Sequence, residues 1–279
     1  MRSWLLGLSK KLPIDRECEK SDMKVVILAG GKGTRISEES RLKPKPMIEI
    51  GGMPIIWHIM KLYSFYGFNE FVICCGYKGQ MLKEYFIHYY TYQSDSTFSL
   101  ADRQVTVHEN HVEPWKVTLV NTGLNTLTAG RILKIKDYIE EDEFMLTYGD
   151  GVSDVNISDL LAFHHQHKGI ATITTTQPTG RFGALKIEAD TGRVRSFKEK
   201  ARVDSAWVNA GFMVLNRRIF EYLGDGSEML EEGPLERVAE EGKMAAYKHN
   251  GFWSPMDTLR DKEYLEELWK TNKATWKVW

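Results

Sequence analysis

From Met23 onward, short unbroken apolar runs alternate with longer segments in which apolar residues recur every three or four positions. The first run, residues 25–28, ends at glycines and is typical of a parallel strand covered on both faces. Pro54 opens the next segment, where a broad apolar stripe continues to Gly67 and predicts a helix. Such pairs repeat to residue 148. The pattern therefore predicts an α/β fold with a doubly wound, mostly parallel central sheet.

The same pattern predicts the elements of the rest of the chain. It predicts strands over residues 71–76, 117–120, 144–148, 170–176 and 210–215, and helices over residues 81–92, 128–139 and 258–271. Ser158 is predicted to cap one more helix, and Thr258 with Asp261 has the spacing of a capping box. Residues 182–200 look like hairpin strands, so we expect the second half of the fold to be mixed.

The sequence favours one folded domain over residues 23–279, because no internal repeat or linker divides it. Residues 1–22 contain an apolar stretch too short for the core of a signal peptide, followed by charged residues. We expect residues 1–22 to be a leader or a non-native extension that lies outside the fold.

Composition limits the possible functions. The 37 basic residues are balanced by 38 acidic ones, so the formal net charge is −1. This balance argues against a surface dedicated to nucleic acid. Cys74 and Cys75 lie together in an apolar run and are expected to be buried thiols in a reducing compartment. No apolar run is long enough to cross a bilayer, so the sequence predicts no membrane span and a cytoplasmic protein.

The segment that follows the first strand, residues 28–35 (LAGGKGTR), carries the main chemical signal. A glycine-rich turn after a strand can present backbone N–H groups and cations to an anion. It is not a P-loop, because Gly33 stands where Ser or Thr would follow the Gly-Lys pair. It is not the dinucleotide pattern either, since Ile36 replaces the last glycine.

The motif resembles the sugar-1-phosphate nucleotidyltransferases, and further motifs of that family follow in the same order. The similar stretches are residues 45–48 (KPMI), 146–150 (LTYGD), 197–200 (FKEK), 208–212 (VNAGF) and 253–258 (WSPMDT). Taken alone, Asp150 could be a turn residue and Asp257 a helix-start residue. The combination covers the chain from Met23 to its end, and the resemblance implies a Rossmann-like nucleotidyltransferase fold.

Two more stretches, residues 122–131 and 178–185, resemble the family members that transfer a cytidylyl group from CTP to α-D-glucose 1-phosphate. Those enzymes supply CDP-glucose for the dideoxysugars of O-antigen lipopolysaccharide. A thymidylyl- or uridylyltransferase acting on the same sugar phosphate, and a non-catalytic regulatory subunit, remain alternatives. A metal-dependent glycosyltransferase is a further alternative, because residues 150–154 (DGVSD) loosely resemble an aspartate cluster.

The resemblance implies a role for each matching residue. Catalytic roles fall to Arg35, Lys45 and Asp150, with Arg35 at the leaving phosphates and Lys45 at the α-phosphate. Asp150 and Asp257 would bind Mg²⁺, whose preferred ligands are carboxylate and phosphate oxygens. The implied nucleotide-binding residues are Leu28, Ala29, Gly30, Gly31, Gly33, Thr34, Arg35, Thr126 and Arg131. The implied sugar-phosphate residues are Gly183, Glu199, Lys200 and Asn209. For Thr126 and Arg131, a purely structural role at a helix start is equally favoured.

Two other groups of residues suggest structure rather than chemistry. His164, His165 and His167 lie on a predicted amphipathic helix without the i, i+4 spacing of a zinc pair, so we expect them to be buried and satisfied or exposed. The aromatic run over residues 85–92 is expected to lie partly in the core and partly in a subunit interface. The family resemblance implies a homo-oligomer, possibly a hexamer.

Overall fold

The structure is a computed structural model, and it describes residues 23–110, 112–177, 184–187, 194–198 and 207–279. The predicted roles of Gly183, Glu199 and Lys200, and the expectation for residues 1–22, lie outside the described residues. The strands are β1 (Val25–Ala29), β2 (Glu49–Ile50), β3 (Met53–Pro54), β4 (Glu70–Cys75), β5 (Ser94–Ser99), β6 (Gln104–Asn110), β7 (Lys116–Asn121), β8 (Glu143–Tyr148), β9 (Gly151–Ser153), β10 (Ala171–Thr176), β11 (Ala184–Ile187), β12 (Val194–Lys198), β13 (Val208–Asn216), β14 (Met244–Lys248) and β15 (Trp253–Pro255). The helices are α1 (Ser37–Ser40), α2 (Ile55–Phe65), α3 (Gly79–Tyr92), α4 (Thr128–Leu133), α5 (Ile157–His167), α6 (Pro234–Glu240) and α7 (Leu259–Lys270).

The central sheet has seven strands in the order β14-β10-β13-β8-β1-β4-β7. Strands β7, β4, β1 and β8 are parallel, and β14 is parallel to β10. Only β13, among the strands that the structure describes in this sheet, runs antiparallel to both of its neighbours. The expected doubly wound, mostly parallel sheet with a mixed second half is confirmed, and β11 and β12 form the expected hairpin pair.

Strand β1 shows why unbroken apolar runs predicted the centre of the sheet. All five of its residues are buried. Val25, Ile27 and Ala29 pack into a core with helices α2, α5 and α7, whereas Val26 and Leu28 pack into a second core with α4 and α6. Since successive side chains of a strand point to opposite faces, both faces of β1 must be covered by apolar groups.

The two adjacent cysteines obey the same alternation. Cys75 faces the first core and Cys74 the second, and both are free thiols. Burial raises the pKa of Cys74 to about 12 and that of Cys75 to about 11. The prediction of buried, unpaired thiols is confirmed.

Three details of the sequence prediction were wrong. Asn156, not Ser158, caps α5, because its side-chain oxygen accepts a hydrogen bond from the backbone N–H of Asp159 at 3.1 Å. The helix predicted over residues 128–139 ends at Leu133 and resumes only as a 3₁₀ turn at Lys136–Tyr138. The hairpin of β5 and β6 was not predicted, since β5 is mostly polar and half exposed and carries little apolar alternation. The Thr258–Asp261 capping box is confirmed.

Candidate active site

The carboxyl ends of two neighbouring strands define one edge of the site. Strands β1 and β8 are adjacent and parallel, with Leu28 beside Tyr148 in the register. The glycine-rich loop, residues 30–33, follows β1, and Asp150 follows β8 after a single glycine. Both therefore leave the sheet at its carboxyl edge, where open α/β sheets bind ligands.

Lys45 and Asp257 reach this edge from outside the central sheet. Lys45 begins a short 3₁₀ helix that follows Pro44, whose fixed φ of −65° sets the entry of the chain into this turn. Asp257 lies in the turn between β15 and α7. The backbone N–H of Met256 donates to the backbone oxygen of Asp150 at 2.8 Å, so this turn is attached directly to the end of β8.

One connected cluster contains four charged side chains, those of Arg35, Lys45, Asp150 and Asp257. Lys45 Nζ lies 2.6 Å from Asp150 Oδ2 and 2.7 Å from Asp257 Oδ1. Arg35 Nη1 lies 3.1 Å from Asp257 Oδ2. Lys45 is only 8 % exposed, whereas the side chain of Arg35 is 76 % exposed and free to reach outward. The structure thus brings together the predicted catalytic residues and the two predicted metal ligands.

The contacts within the cluster shift the pKa values of Lys45 and Asp257. Burial alone would lower the pKa of Lys45, but attraction to Asp150 and hydrogen bonds to both carboxylates outweigh burial, so the pKa is raised. Burial would raise the pKa of Asp257, but the hydrogen bond and charge of Lys45, with a contribution from Arg35, lower it. Lys45 is therefore a cation and Asp257 an anion near neutral pH.

Arg131 connects the glycine-rich loop to the start of α4. Its Nη1 donates to Thr122 Oγ1 at 2.6 Å and to the backbone oxygen of Gly123 at 2.9 Å, and its Nη2 donates to the backbone oxygen of Gly30 at 3.0 Å. The side chain is 5 % exposed, and burial lowers the pKa of Arg131. Because a guanidinium presents several donors in a fixed plane, one side chain can join these segments.

This close approach explains the glycine at position 30. A Cβ atom there would lie 2.0 Å from Arg131 Nη1, so a side chain cannot be accommodated unless the guanidinium moves. Gly33 is required for a different reason, since its φ of +63° is unfavourable for residues with a Cβ atom.

A cavity of about 760 Å³ lies at this edge, a volume within the usual range of ligand sites. Its walls are the glycine-rich loop, the segment before α4 and the ends of β8 and β15. All nine predicted nucleotide-binding residues line it: Leu28, Ala29, Gly30, Gly31, Gly33, Thr34, Arg35, Thr126 and Arg131. Thr126 Oγ1 donates to the backbone oxygen of Thr122 at 2.6 Å, so its hydroxyl also stabilises the loop.

Asn209 lies at a separate, smaller cavity of about 50 Å³ that shares Tyr148 and Asp150 with the large one. Its side-chain oxygen accepts a hydrogen bond from the backbone N–H of Gly211 at 2.8 Å. Gly211 has a φ of +83°, and a Cβ atom there would lie 2.6 Å from Tyr148 Cδ2. Asn209 is therefore the predicted sugar residue that the structure places next to the charged cluster.

Sequence reasoning missed a second polar group in the large cavity. Tyr148, Thr128 and Glu231 line it, and the hydroxyls of Tyr148 and Thr128 both donate to the Glu231 carboxylate. The position of Tyr148 immediately before Gly149 and Asp150 could have indicated its place. No sequence signal marks Glu231, which lies in an acidic loop far along the chain.

The aspartate pair that suggested a glycosyltransferase does not converge on one site. Asp154 Oδ1 accepts a hydrogen bond from the backbone N–H of Phe252 at 2.7 Å and lies 3.0 Å from His249 Nε2. Asp154 is absent from the walls of the cavity that Asp150 lines. Its contacts hold the loop before β15 in place.

Two of the histidines of α5, His164 and His165, have partners within the fold. His164 is 1 % exposed and its Nδ1 is hydrogen bonded to Thr172 Oγ1 at 2.8 Å. His165 pairs with Glu143 at the surface.

Among the described residues, no group of three or more His, Cys, Asp or Glu side chains could hold a metal ion. None of the described helices combines the length and apolarity that a membrane span requires.

The fold and the site define a nucleotide-transferring enzyme, and the family comparison agrees. The model of the nucleotidyl transferase family matches residues 24–269, so the chain belongs to that family. It is 53% identical over 258 residues to the glucose-1-phosphate cytidylyltransferase of Salmonella typhi. The aligned region covers 92% of this chain and 100% of that protein.

Solved structures show the same fold at low sequence identity. HddC from Yersinia pseudotuberculosis, in complex with GMP-PN, superposes with a TM-score of 0.62 at 22% identity, covering 88% of this chain and 99% of HddC. UTP-bound UGPase from Acinetobacter baumannii gives a TM-score of 0.64 at 16% identity, covering 90% of this chain and 94% of UGPase.

Proposed function

We propose that the protein transfers the cytidylyl group of CTP to α-D-glucose 1-phosphate, which yields CDP-D-glucose and pyrophosphate. The observation that carries this proposal is the position of Lys45 between Asp150 and Asp257 at the end of the glycine-rich loop. The named activity of the Salmonella typhi relative supports the choice of CTP and of glucose 1-phosphate. We place the product in dideoxysugar and O-antigen synthesis.

The reaction needs no activated side-chain nucleophile. A phosphate monoester has its second pKa near 6 and is largely a dianion at pH 7, so the sugar phosphate itself can attack the α-phosphorus of CTP. The phosphate oxygen forms the new P–O bond, and the bond to the β-phosphate breaks, releasing pyrophosphate. Catalysis then consists of positioning two anions and stabilising the charge that develops between them.

The described residues divide this task by position. The backbone N–H groups of the glycine-rich loop would face the nucleotide phosphates. Arg35, exposed at the mouth of the cavity, would bind the leaving β- and γ-phosphates. Lys45, buried behind it, would bind the α-phosphate, where the charge increases most. Asn209 would bind the sugar, and the family resemblance assigns Gly183, Glu199 and Lys200, which lie outside the described residues, to the sugar phosphate.

Asp150 and Asp257 have the chemistry of a magnesium site. Mg²⁺ is usually held by one or two carboxylates together with substrate phosphates, and both carboxylates already point at one cation, the Lys45 ammonium. Bound there, Mg²⁺ would neutralise phosphate charge and orient the α-phosphate. The requirement for this particular metal is part of the proposal.

The test is a pyrophosphate-release assay of CTP, UTP, dTTP and ATP with glucose 1-phosphate. We expect CTP to be used best. A preference for UTP or dTTP would replace the proposal with the corresponding transferase, and no pyrophosphate from any nucleotide would favour a regulatory subunit.

The residue roles are tested by Lys45→Ala and Asp150→Asn, which should each lower kcat by at least about a hundredfold, in the range found for single charge-stabilising groups. Lys43→Ala is the matched control, because Lys43 lies two residues away and pairs with Glu49 instead. Near-normal turnover of Lys45→Ala would reject its role.

We also propose a homo-oligomer that uses α3 and the β5–β6 hairpin. Tyr89 is buried in the core, but several large apolar side chains of these elements are exposed: Ile87, Tyr90, Tyr92, Phe98, Leu100 and Val105. Light scattering of the full chain should show more than one subunit, and Ile87→Lys should shift it towards the monomer. A monomeric wild type would reject this assignment.

A further inference from the structure

Glu231 adds a third carboxylate to the described residues that line the large cavity, besides Asp150 and Asp257. It takes no part in the Lys45 cluster. Its loop precedes α6, and nothing in the proposed chemistry of phosphate transfer requires it. An acidic group in a cavity for phosphates would repel them, so its presence needs a separate explanation.

The carboxylate is held in one orientation by two hydroxyl donors. Thr128 Oγ1 donates to Glu231 Oε2 at 2.9 Å, and it accepts a hydrogen bond from the backbone N–H of Leu230 at 2.6 Å. The phenol of Tyr148 donates to Glu231 Oε1.

Glu231 retains the capacity to accept further hydrogen bonds. An ionised carboxylate offers about four lone-pair positions, and the two hydroxyls use one on each oxygen. A ligand group that binds there must be an uncharged or cationic donor. In the proposed reaction, the candidates are a sugar hydroxyl and the exocyclic amine of cytosine.

The surroundings of Tyr148 favour the sugar. Tyr148 stands two residues before Asp150, lies against Gly211, and lines the same small cavity as Asn209, the predicted sugar residue. The hexose is bonded to the attacking phosphate, which is joined to the α-phosphorus by one bridging oxygen in the product, whereas the base is separated from the α-phosphate by the ribose. The group next to Asp150 is therefore closer to the hexose than to the base.

On the basis of the proposed function, we infer that Glu231, held by Tyr148 and Thr128, accepts a hydrogen bond from a hydroxyl of the hexose and determines which sugar phosphates are used. Sites that pair their polar groups with a substrate hydroxyl reject analogues that lack it, because the buried group is then left unpaired. Glu231 thus selects among sugars. It carries a negative charge, whereas the residues that bind phosphate are cationic.

The experiment compares wild type with Glu231→Gln and with the control Glu232→Gln. Glu232 is the next residue in the chain, and its side chain is exposed. Each protein is assayed with CTP and with glucose 1-phosphate or its 2-, 3-, 4- and 6-deoxy analogues, and in parallel with UTP and glucose 1-phosphate. We expect Glu231→Gln to lower kcat/KM for glucose 1-phosphate by about ten- to a hundredfold, as for loss of a hydrogen bond to a charged group. With one deoxy analogue, wild type and Glu231→Gln should differ less than threefold. Glu232→Gln should match wild type throughout.

Three results would overturn the inference. An equal loss on all five sugar phosphates would mean that Glu231 only holds Tyr148 in place. A rise in the use of UTP relative to CTP by Glu231→Gln would place the base, not the sugar, at this group. Unchanged kinetics would show no contact. Thr128→Val, which keeps the carboxylate but removes one of its donors, should give a smaller loss with the same dependence on the analogue.

Failure of the proposed function can be recognised separately. If wild type forms no product from CTP and glucose 1-phosphate, the proposed reaction is rejected. Titration calorimetry of glucose 1-phosphate into wild type and Glu231→Gln then tests Glu231 alone. Weaker binding to the variant would support the inference, and equal affinity would reject it.

Discussion

Replacing Arg131 with alanine should loosen the glycine-rich loop without touching the charged cluster. The guanidinium is the direct link between the loop, through Gly30, and the segment before α4, through Thr122 and Gly123. Its truncation leaves these buried acceptors without their donor. The loop would then lose its fixed distance from the segment that forms the opposite wall of the cavity.

The magnitude follows from these three contacts of 3.0 Å or less. A hydrogen bond to a charged group contributes about 1.5–3 kcal/mol, but the buried charge itself is costly, so we expect a net loss of about 3 kcal/mol rather than the full sum. In a chain of this size, that loss lowers Tm by roughly 6–12 °C. Arg131→Lys keeps the charge but not the planar fork, and should recover less than half of the loss.

The assay combines thermal unfolding with the KM for CTP and for glucose 1-phosphate. If Arg131 positions the loop, KM for CTP rises at least tenfold in Arg131→Ala, while KM for the sugar phosphate changes much less. Lys134→Ala is the control, because Lys134 also bonds the Thr122 backbone at 2.9 Å but does not reach Gly30. An Arg131→Ala protein with unchanged Tm and unchanged KM for CTP would refute the reasoning.

Three further outcomes are expected. Burial lowers the pKa of His58 to about 4, so the contribution of neutral His58 to the free energy of unfolding is fully present above pH 6.5 and falls by roughly 3 kcal/mol as the pH drops to 4. Urea unfolding should show this loss in wild type and not in His58→Gln, and an equal pH dependence of the two proteins would contradict it. Gly211→Ala combines a φ of +83° with a collision with Tyr148, whereas Gly52→Ala at a φ of +80° meets nothing within 4 Å; the first should lower Tm and raise KM for glucose 1-phosphate more than the second, and equal effects would exclude the collision. Asp257→Asn should weaken Mn²⁺ binding, followed by electron paramagnetic resonance in the presence of CTP, by at least about tenfold, and unchanged binding would remove Asp257 from the metal site.

The parts of the fold that the sequence predicted are those where one physical requirement dominates several adjacent residues. A strand buried on both faces needs an unbroken apolar run, and β1 and β4 show such runs. A loop that approaches an anion needs glycines and cations, and residues 30–35 contain them. Asp150 and Asp257 could be located because the order of the motifs indicated both, and Asp150 also follows a predicted strand.

The rest depends on contacts between residues distant in the chain. Nothing around Arg131 tells whether its guanidinium faces a ligand or the backbone oxygen of Gly30, which lies 101 residues earlier. Glu231 meets Tyr148 across 83 residues, and nothing in its acidic neighbourhood in the sequence indicates this contact. The local pattern likewise marks neither the end of α4 at Leu133 nor the β5–β6 hairpin.

The charges around the cavity suggest how a bound triphosphate and the proposed divalent cation would depend on one another. Four described cationic residues line it (Lys32, Arg35, Lys45 and Arg131), against three carboxylates, Asp150, Glu231 and Asp257. Arg131 is occupied by backbone oxygens and Lys45 by two carboxylates, which leaves Lys32 and the exposed Arg35 as the cations of this set that can turn towards a triphosphate. A divalent cation bound between Asp150 and Asp257 would replace Lys45 as the partner of the two carboxylates. The Lys45 ammonium would then be available to the α-phosphate. Since coupling between two ligands is reciprocal, nucleotide and cation should each strengthen the binding of the other. In this arrangement, Lys45 stabilises the two carboxylates as long as the substrates are not bound.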